Sequence, residues 1–196
     1  WVANALRRPM VAEPGGQMIY STGSTHLLSA ILTRASGTST LLYAQRYLFR
    51  PIGVELRPWQ RDPQGIYFGG NDMYLTSRDM VKFGSLYLNG GRVGNREVIP
   101  REWIDSSWTE RTSSPWNGHR YGYGWWTRTS QLHTVRFAWG YGGQYIFVVP
   151  ELQLVVVTTS DADSRREGSH TWTLHRLLDE YVIPAVLSSE SSEGGS

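Results

Sequence analysis

Apolar residues follow a helical period in the first half of this chain and a strand-like pattern further on. From Ser24, residues Leu27, Leu28, Ile31, Leu32 and Ala35 recur on one helical face, and Gly37 marks the end of that helix. Thr38-Ser39-Thr40 offers a fresh N-cap for a second helix carrying Leu41, Leu42, Ala44, Tyr47 and Leu48, which Pro51 stops. Residues 55–70, with Pro58, Pro63, Gly65 and the pair Gly69-Gly70, read as loop. Thr76-x-x-Asp79 then supplies a capping box for a helix with Met80, Val81, Phe83, Leu86 and Leu88, closed by Asn89-Gly90-Gly91. A short helix over 102–107 follows Pro100.

From Tyr121 the pattern changes. Segments 121–126, 135–139, 144–149 and 152–159 are aromatic and β-branched, and the connections between them predict an antiparallel meander. The run Tyr145 to Val149 is apolar throughout, as in a strand packed on both faces. A final amphipathic helix over 171–187 carries Trp172, Leu174, Leu177, Leu178, Tyr181 and Val182. Helices, then consecutive strands, then one helix predict an α+β architecture, an antiparallel sheet with helices packed on it.

At 196 residues the chain fits one domain or a large part of one, over 1–187, followed by a polar tail over 188–196 expected to be frayed. Net charge is only +2, so no nucleic-acid footprint is expected. There are no cysteines, which excludes disulfides, thiolate nucleophiles and cysteine-based zinc sites. No apolar run is long enough to predict a membrane span, and no signal-peptide pattern follows Trp1. Aromatic content is high at 13%, and Lys82 is the only lysine.

Metal chemistry finds little support. His170 and His175 are five positions apart and so miss a common helical face, while His26, His119 and His133 stand alone. Asp161, Asp163 and Glu167 lack the length and central glycine of a calcium loop. No metal and no cofactor is therefore expected. A Gly-x-Ser-x-Gly elbow and phosphate-binding glycine loops are missing as well. Two stretches remain. Tyr20-Ser21-Thr22 lies just before a helix, where the local dipole favours a phenolate and suits a general base. Trp139-Gly140-Tyr141-Gly142-Gly143-Gln144 joins a glycine-rich turn to the buried strand and leaves the backbone open to close approach. Taken singly, each also fits a plain helix boundary or a tight hairpin.

Together with their surroundings, these stretches resemble the serine hydrolase superfamily of class C β-lactamases, family VIII esterases, D-amino-acid peptidases and penicillin-binding proteins. Tyr20-Ser21-Thr22 and the helix after it resemble the family's Tyr-x-Asn segment. Leu48-Phe49-Arg50-Pro51-Ile52-Gly53 resembles its Leu-Phe-x-Pro-Leu-Gly, and Gly69-Gly70 through Asn89-Gly90-Gly91 its Gly-Gly loop and following helix. Tyr121-Gly122-Tyr123-Gly124-Trp125-Trp126 extends the match. The resemblance implies a β-lactamase/transpeptidase-like fold and an acyl-enzyme mechanism on a small-molecule ester or amide. It implies Tyr20 as general base, the backbone N–H of Gln144 as oxyanion donor, and Thr22, Trp139, Tyr141, Gly142 and Gly143 at the substrate.

The departures are specific. The family's Ser-x-x-Lys nucleophile motif is absent, since Asp79 stands three residues before Lys82. The resemblance thus implies a C-terminal part of a member, an incomplete fold whose nucleophile belongs upstream of Trp1. Thr22 in place of Asn and Tyr141 in place of Lys lean toward an esterase or amidase. A missing half would leave the strand from Leu152 to Thr159 as an open edge, covered by a second chain bearing Ser-x-x-Lys or by self-association. A catalytically inactive binding module is the alternative. A hydrolase using Ser21 or Ser24 ranks last. Family resemblance alone favours an exported location.

Overall fold

The computed structural model describes residues 1–161 and 170–193. Its helices are α1 (Val2–Leu6), α2 (Thr22–Ser36), α3 (Thr40–Ala44), α4 (Ser77–Leu88), α5 (Arg101–Trp108), α6 (His170–Leu177) and α7 (Ile183–Glu193). Strands β1 (Arg92–Val93) and β2 (Arg96–Glu97) form a small hairpin. The main sheet runs β3 (Thr112–Ser113), β4 (Arg120–Tyr121), β5 (Trp126–Ser130), β6 (His133–Gly140), β7 (Gln144–Val149) and β8 (Leu154–Thr158), antiparallel and in chain order. The α+β architecture read from the sequence is the architecture observed.

Strand β7 is buried on both faces because both are apolar. Tyr145, Phe147 and Val149 pack with Trp126, Val135 and Phe137, and with Leu178 and Ile183 of the C-terminal helices. Ile146 and Val148 face Met80 and Tyr87 of α4, Ile104 of α5, and Trp125. The sheet is thus sandwiched between α4–α5 and α6–α7. A third cluster, Phe49, Ile52, Val54, Leu56, Trp59, Tyr67 and Leu86, ties the 50–70 segment to α4. Burial of side chains this large is the main source of stability, at roughly 1.5–3 kcal/mol each.

Local capping follows the sequence closely. Ser21 and Ser39 cap α2 and α3, and Thr76 Oγ1 accepts the Asp79 N–H at the start of α4. Gly37 ends α2 in the left-handed conformation.

Four expectations are revised. The 121–126 segment is not one strand: a turn through Gly122, Tyr123 and Gly124 breaks it, with Gly122 N donating to Trp125 O at 2.8 Å. Strand β5 then continues through the polar run Thr127-Arg128-Thr129-Ser130, which has no apolar pattern to announce it. The second helix changes to a π turn over Gln45–Phe49, and the last helix does so over Leu178–Val182. Finally, α7 runs on to Glu193, so the start of the segment expected to fray is helical.

Candidate functional site

Ser21 adopts extended dihedrals and its Oγ accepts the Ser24 N–H at 3.2 Å, which makes it the N-cap of α2. This geometry sends its two neighbours in different directions. Tyr20 turns to the sheet, where its ring stacks on Trp126 at 5.8 Å and meets the edge of Tyr121 at 6.1 Å. Thr22 instead begins the helix beside Gly70. The first turn of α2 is held against the Gly69-Gly70 loop. A Cβ on Gly69 would lie 2.1 Å from the Thr25 carbonyl oxygen, and one on Gly70 would lie 2.3 Å from Thr25 Oγ1. Only a backbone without side chains allows that approach.

Behind this turn, His26 Nε2 donates to the buried carboxylate of Asp62 at 3.1 Å. Asp62 Oδ1 also takes the N–H groups of Gln64 and Ile66, both at 2.9 Å. Burial alone would raise the Asp62 carboxyl, but these backbone donors and His26 together hold it below the usual carboxylate range. The pair fastens the 55–70 segment to α2. It is not a metal site, being one histidine and one carboxylate engaged with each other. The Asp163 and Glu167 positions weighed for a calcium loop lie outside the described residues.

The second stretch forms the β6–β7 hairpin, with Gly140 opposite Gln144. Gly142 and Gly143 carry φ of 75° and 86°. Trp139 lies 5.7 Å from Trp126 and stacks on Tyr145 at 5.8 Å. Trp126 is therefore the common floor: Tyr20 lies on it from one side and Trp139 from another. Tyr141 projects outward and is 85% exposed. The Gln144 side chain spans the backbone of Ser160, its Nε2 donating to Ser160 O at 2.5 Å and its Oε1 accepting Ser160 N at 3.3 Å. Burial pushes the phenols of Tyr121 and Tyr145 up to about 12, so both remain neutral at ordinary pH.

Of the residues picked out in sequence, Tyr20, Trp139 and the hairpin glycines are brought to one wall. Thr22 is not; it lines a separate cavity of about 210 Å³ with Trp1, His26 and Phe68. Trp126 and Tyr121 were missed as site residues, although the Trp125-Trp126 pair was a signal that a large aromatic would face each side of the sheet.

The Beta-lactamase family model matches residues 1–180. The chain belongs to the Beta-lactamase family. It is 24% identical over 168 residues to a 6-aminohexanoate-dimer hydrolase of Paenarthrobacter ureafaciens, covering 76% of this chain and 41% of that protein. Its fold superposes on a candidate 6-aminohexanoate-dimer hydrolase of Bacillus anthracis with a TM-score of 0.79 and 22% identity, over 97% of this chain and 49% of the other. An octameric penicillin-binding protein homologue of Pyrococcus abyssi superposes with a TM-score of 0.67 and 20% identity, over 91% and 44%. The chain thus spans less than half the length of each of these three proteins.

Proposed function

We propose that this chain is the C-terminal portion of a serine hydrolase of the Beta-lactamase family, which cleaves a small-molecule ester or amide through an acyl-enzyme. The supporting observation is the meeting of Tyr20 and Trp139 on the single ring of Trp126, which joins two motifs more than a hundred positions apart. In this reading the serine and lysine come from a segment outside the chain, on a second polypeptide or a longer precursor. Tyr20 is the general base. Backbone N–H groups of the hairpin, that of Gln144 among them, hold the oxyanion, and Trp139, Tyr141, Gly142 and Gly143 border the substrate, while Thr22, which lines the separate cavity, takes no part. The similarity to a protein named as a 6-aminohexanoate-dimer hydrolase favours an amide substrate over a β-lactam. Tyr141 in place of a cation fits the same preference, because it offers no charge to a substrate carboxylate.

The experiment is to express the chain with the segment encoded immediately upstream of Trp1 and to assay aryl ester and amide turnover. Covalent labelling by a fluorophosphonate on a serine outside residues 1–196, with turnover, is expected. Labelling of this chain by itself, lost on Ser21→Ala or Ser24→Ala, overturns the assignment of the nucleophile. No labelling and no turnover in either form favours a binding module.

A further inference from the structure

The carbonyls of the hairpin are tied down from one side. Gly142 O accepts the hydroxyl of Ser160, and Gly143 O accepts Thr158 Oγ1 at 3.0 Å. Both donors come from the end of β8 and the residues just after it. Ser160 Oγ also lies 2.8 Å from His170 Nε2 at the start of α6. A serine has one hydroxyl proton, and it is given to Gly142 O, so His170 Nε2 is the donor in that contact. The Gln144 side chain closes the ring by bracketing the Ser160 backbone.

Gly143 completes the arrangement. A Cβ there would fall 2.5 Å from Ser160 Oγ, 2.7 Å from Leu174 Cδ1 and 2.8 Å from His170 Nε2. Its φ of 86° is also one that side chains resist. The glycine is thus required both by conformation and by the closeness of the lock.

A trans peptide is planar, with its C=O and N–H pointing in opposite directions. Fixing the Gly142 and Gly143 carbonyls toward β8 and α6 therefore fixes the N–H groups of Gly143 and Gln144 on the opposite side of their peptide planes, away from β8 and α6. We propose that Thr158 and Ser160, with His170 behind Ser160, are positioning residues that aim the hairpin N–H groups. The inference rests on the hydrolase reading for its catalytic consequence, and on geometry alone for the lock.

Two measurements separate these. In this chain, ¹⁵N relaxation reports the order of amides 141–144. Thr158→Val and Ser160→Ala are expected to lower their order parameters from about 0.85 to below about 0.6. Thr158→Ser, which keeps the hydroxyl, stays near wild type, as do amides 146–148 in every variant. In the form carrying the upstream segment, Thr158→Val is expected to lower kcat about 10–100-fold, short of deleting an oxyanion donor outright. KM should change less than threefold, roughly, and Thr158→Ser should restore kcat. Unchanged order parameters in both Thr158→Val and Ser160→Ala overturn the lock. A loosened hairpin with unchanged kcat overturns the positioning role. Absence of turnover in the wild type counts against the hydrolase reading, and the relaxation data still decide the lock.

Discussion

Tyr20, Ser21 and Thr22 are adjacent in sequence and separate in role. Ser21 is spent on the cap, Thr22 on the contact with Gly70, and Tyr20 alone reaches the sheet. Replacing Tyr20 by Phe keeps the stacking on Trp126 and removes only the hydroxyl. In the complemented enzyme it should lower kcat by about two orders of magnitude or more, as loss of a general base does. Turnover within a factor of about two of wild type removes Tyr20 from the chemistry. Gly69 tests the frame behind it. A methyl group at 2.1 Å from the Thr25 carbonyl has nowhere to go, since that neighbour is helix backbone. Gly69→Ala should cost about 3 kcal/mol in urea unfolding, at the upper end of overpacking effects. Sequence reading found this glycine pair as part of a family pattern. That it serves a helix passing at contact distance was not legible, because nothing in the two residues names what lies over them.

Elements were legible where local chemistry decides them. The Thr76/Asp79 capping box, the Gly37 stop and the all-apolar β7 are read directly from composition and spacing, and the structure places them as expected. Strand β5 was not, since its interior carries Arg128 and Ser130. Their burial is made favourable by Asp179, which accepts Arg128 Nη2 at 2.7 Å, Arg128 Nη1 at 3.1 Å and Ser130 Oγ at 2.7 Å. Asp179 lies in the π turn Leu178–Val182, and its backbone carbonyl accepts the Gln131 side chain. Arg128 is only 11% exposed in its side chain, so Asp179→Ala should destabilise by about 3 kcal/mol, leaving a guanidinium without its counter-charge. Calorimetry on that variant checks it.

The same cluster makes stability depend on pH. Burial, then the Arg128 guanidinium and His119, push the His175 ring down to about 4, with Asp179 opposing. An unfolded histidine takes up its proton near pH 6.5. Between about 6.5 and 4 the unfolded chain therefore binds more protons, and stability falls as pH falls. The contribution is complete above about pH 6.5, and the slope is at most about 1.4 kcal/mol per pH unit for one proton. Screening at the partly exposed ring makes it shallower. His175→Phe should flatten this part of the stability profile; an unaltered slope assigns it to other groups.

At the scale of the whole molecule, β8 is the exposed feature. Among the described residues its one ladder partner is β7, and all five of its residues are only half-buried. A row of Leu154-Val155-Val156-Val157 beside an open hydrogen-bonding edge invites another strand. Sedimentation of the chain by itself at micromolar concentration should show association, which diminishes when the upstream segment is supplied. A strictly monomeric species with no bound fragment argues against both forms of edge coverage.

By itself the sequence determined the α+β class, the caps of α3 and α4, the all-apolar strand β7 and the family pattern, because each depends on residues close together in the chain. Only the tertiary structure decided that Trp126 unites Tyr20 with Trp139, that Thr22 faces elsewhere, and that β8 and α6 hold the hairpin by its carbonyls. Those contacts join positions far apart in sequence, and the packing of helices on the sheet selects them rather than any local preference of the residues involved.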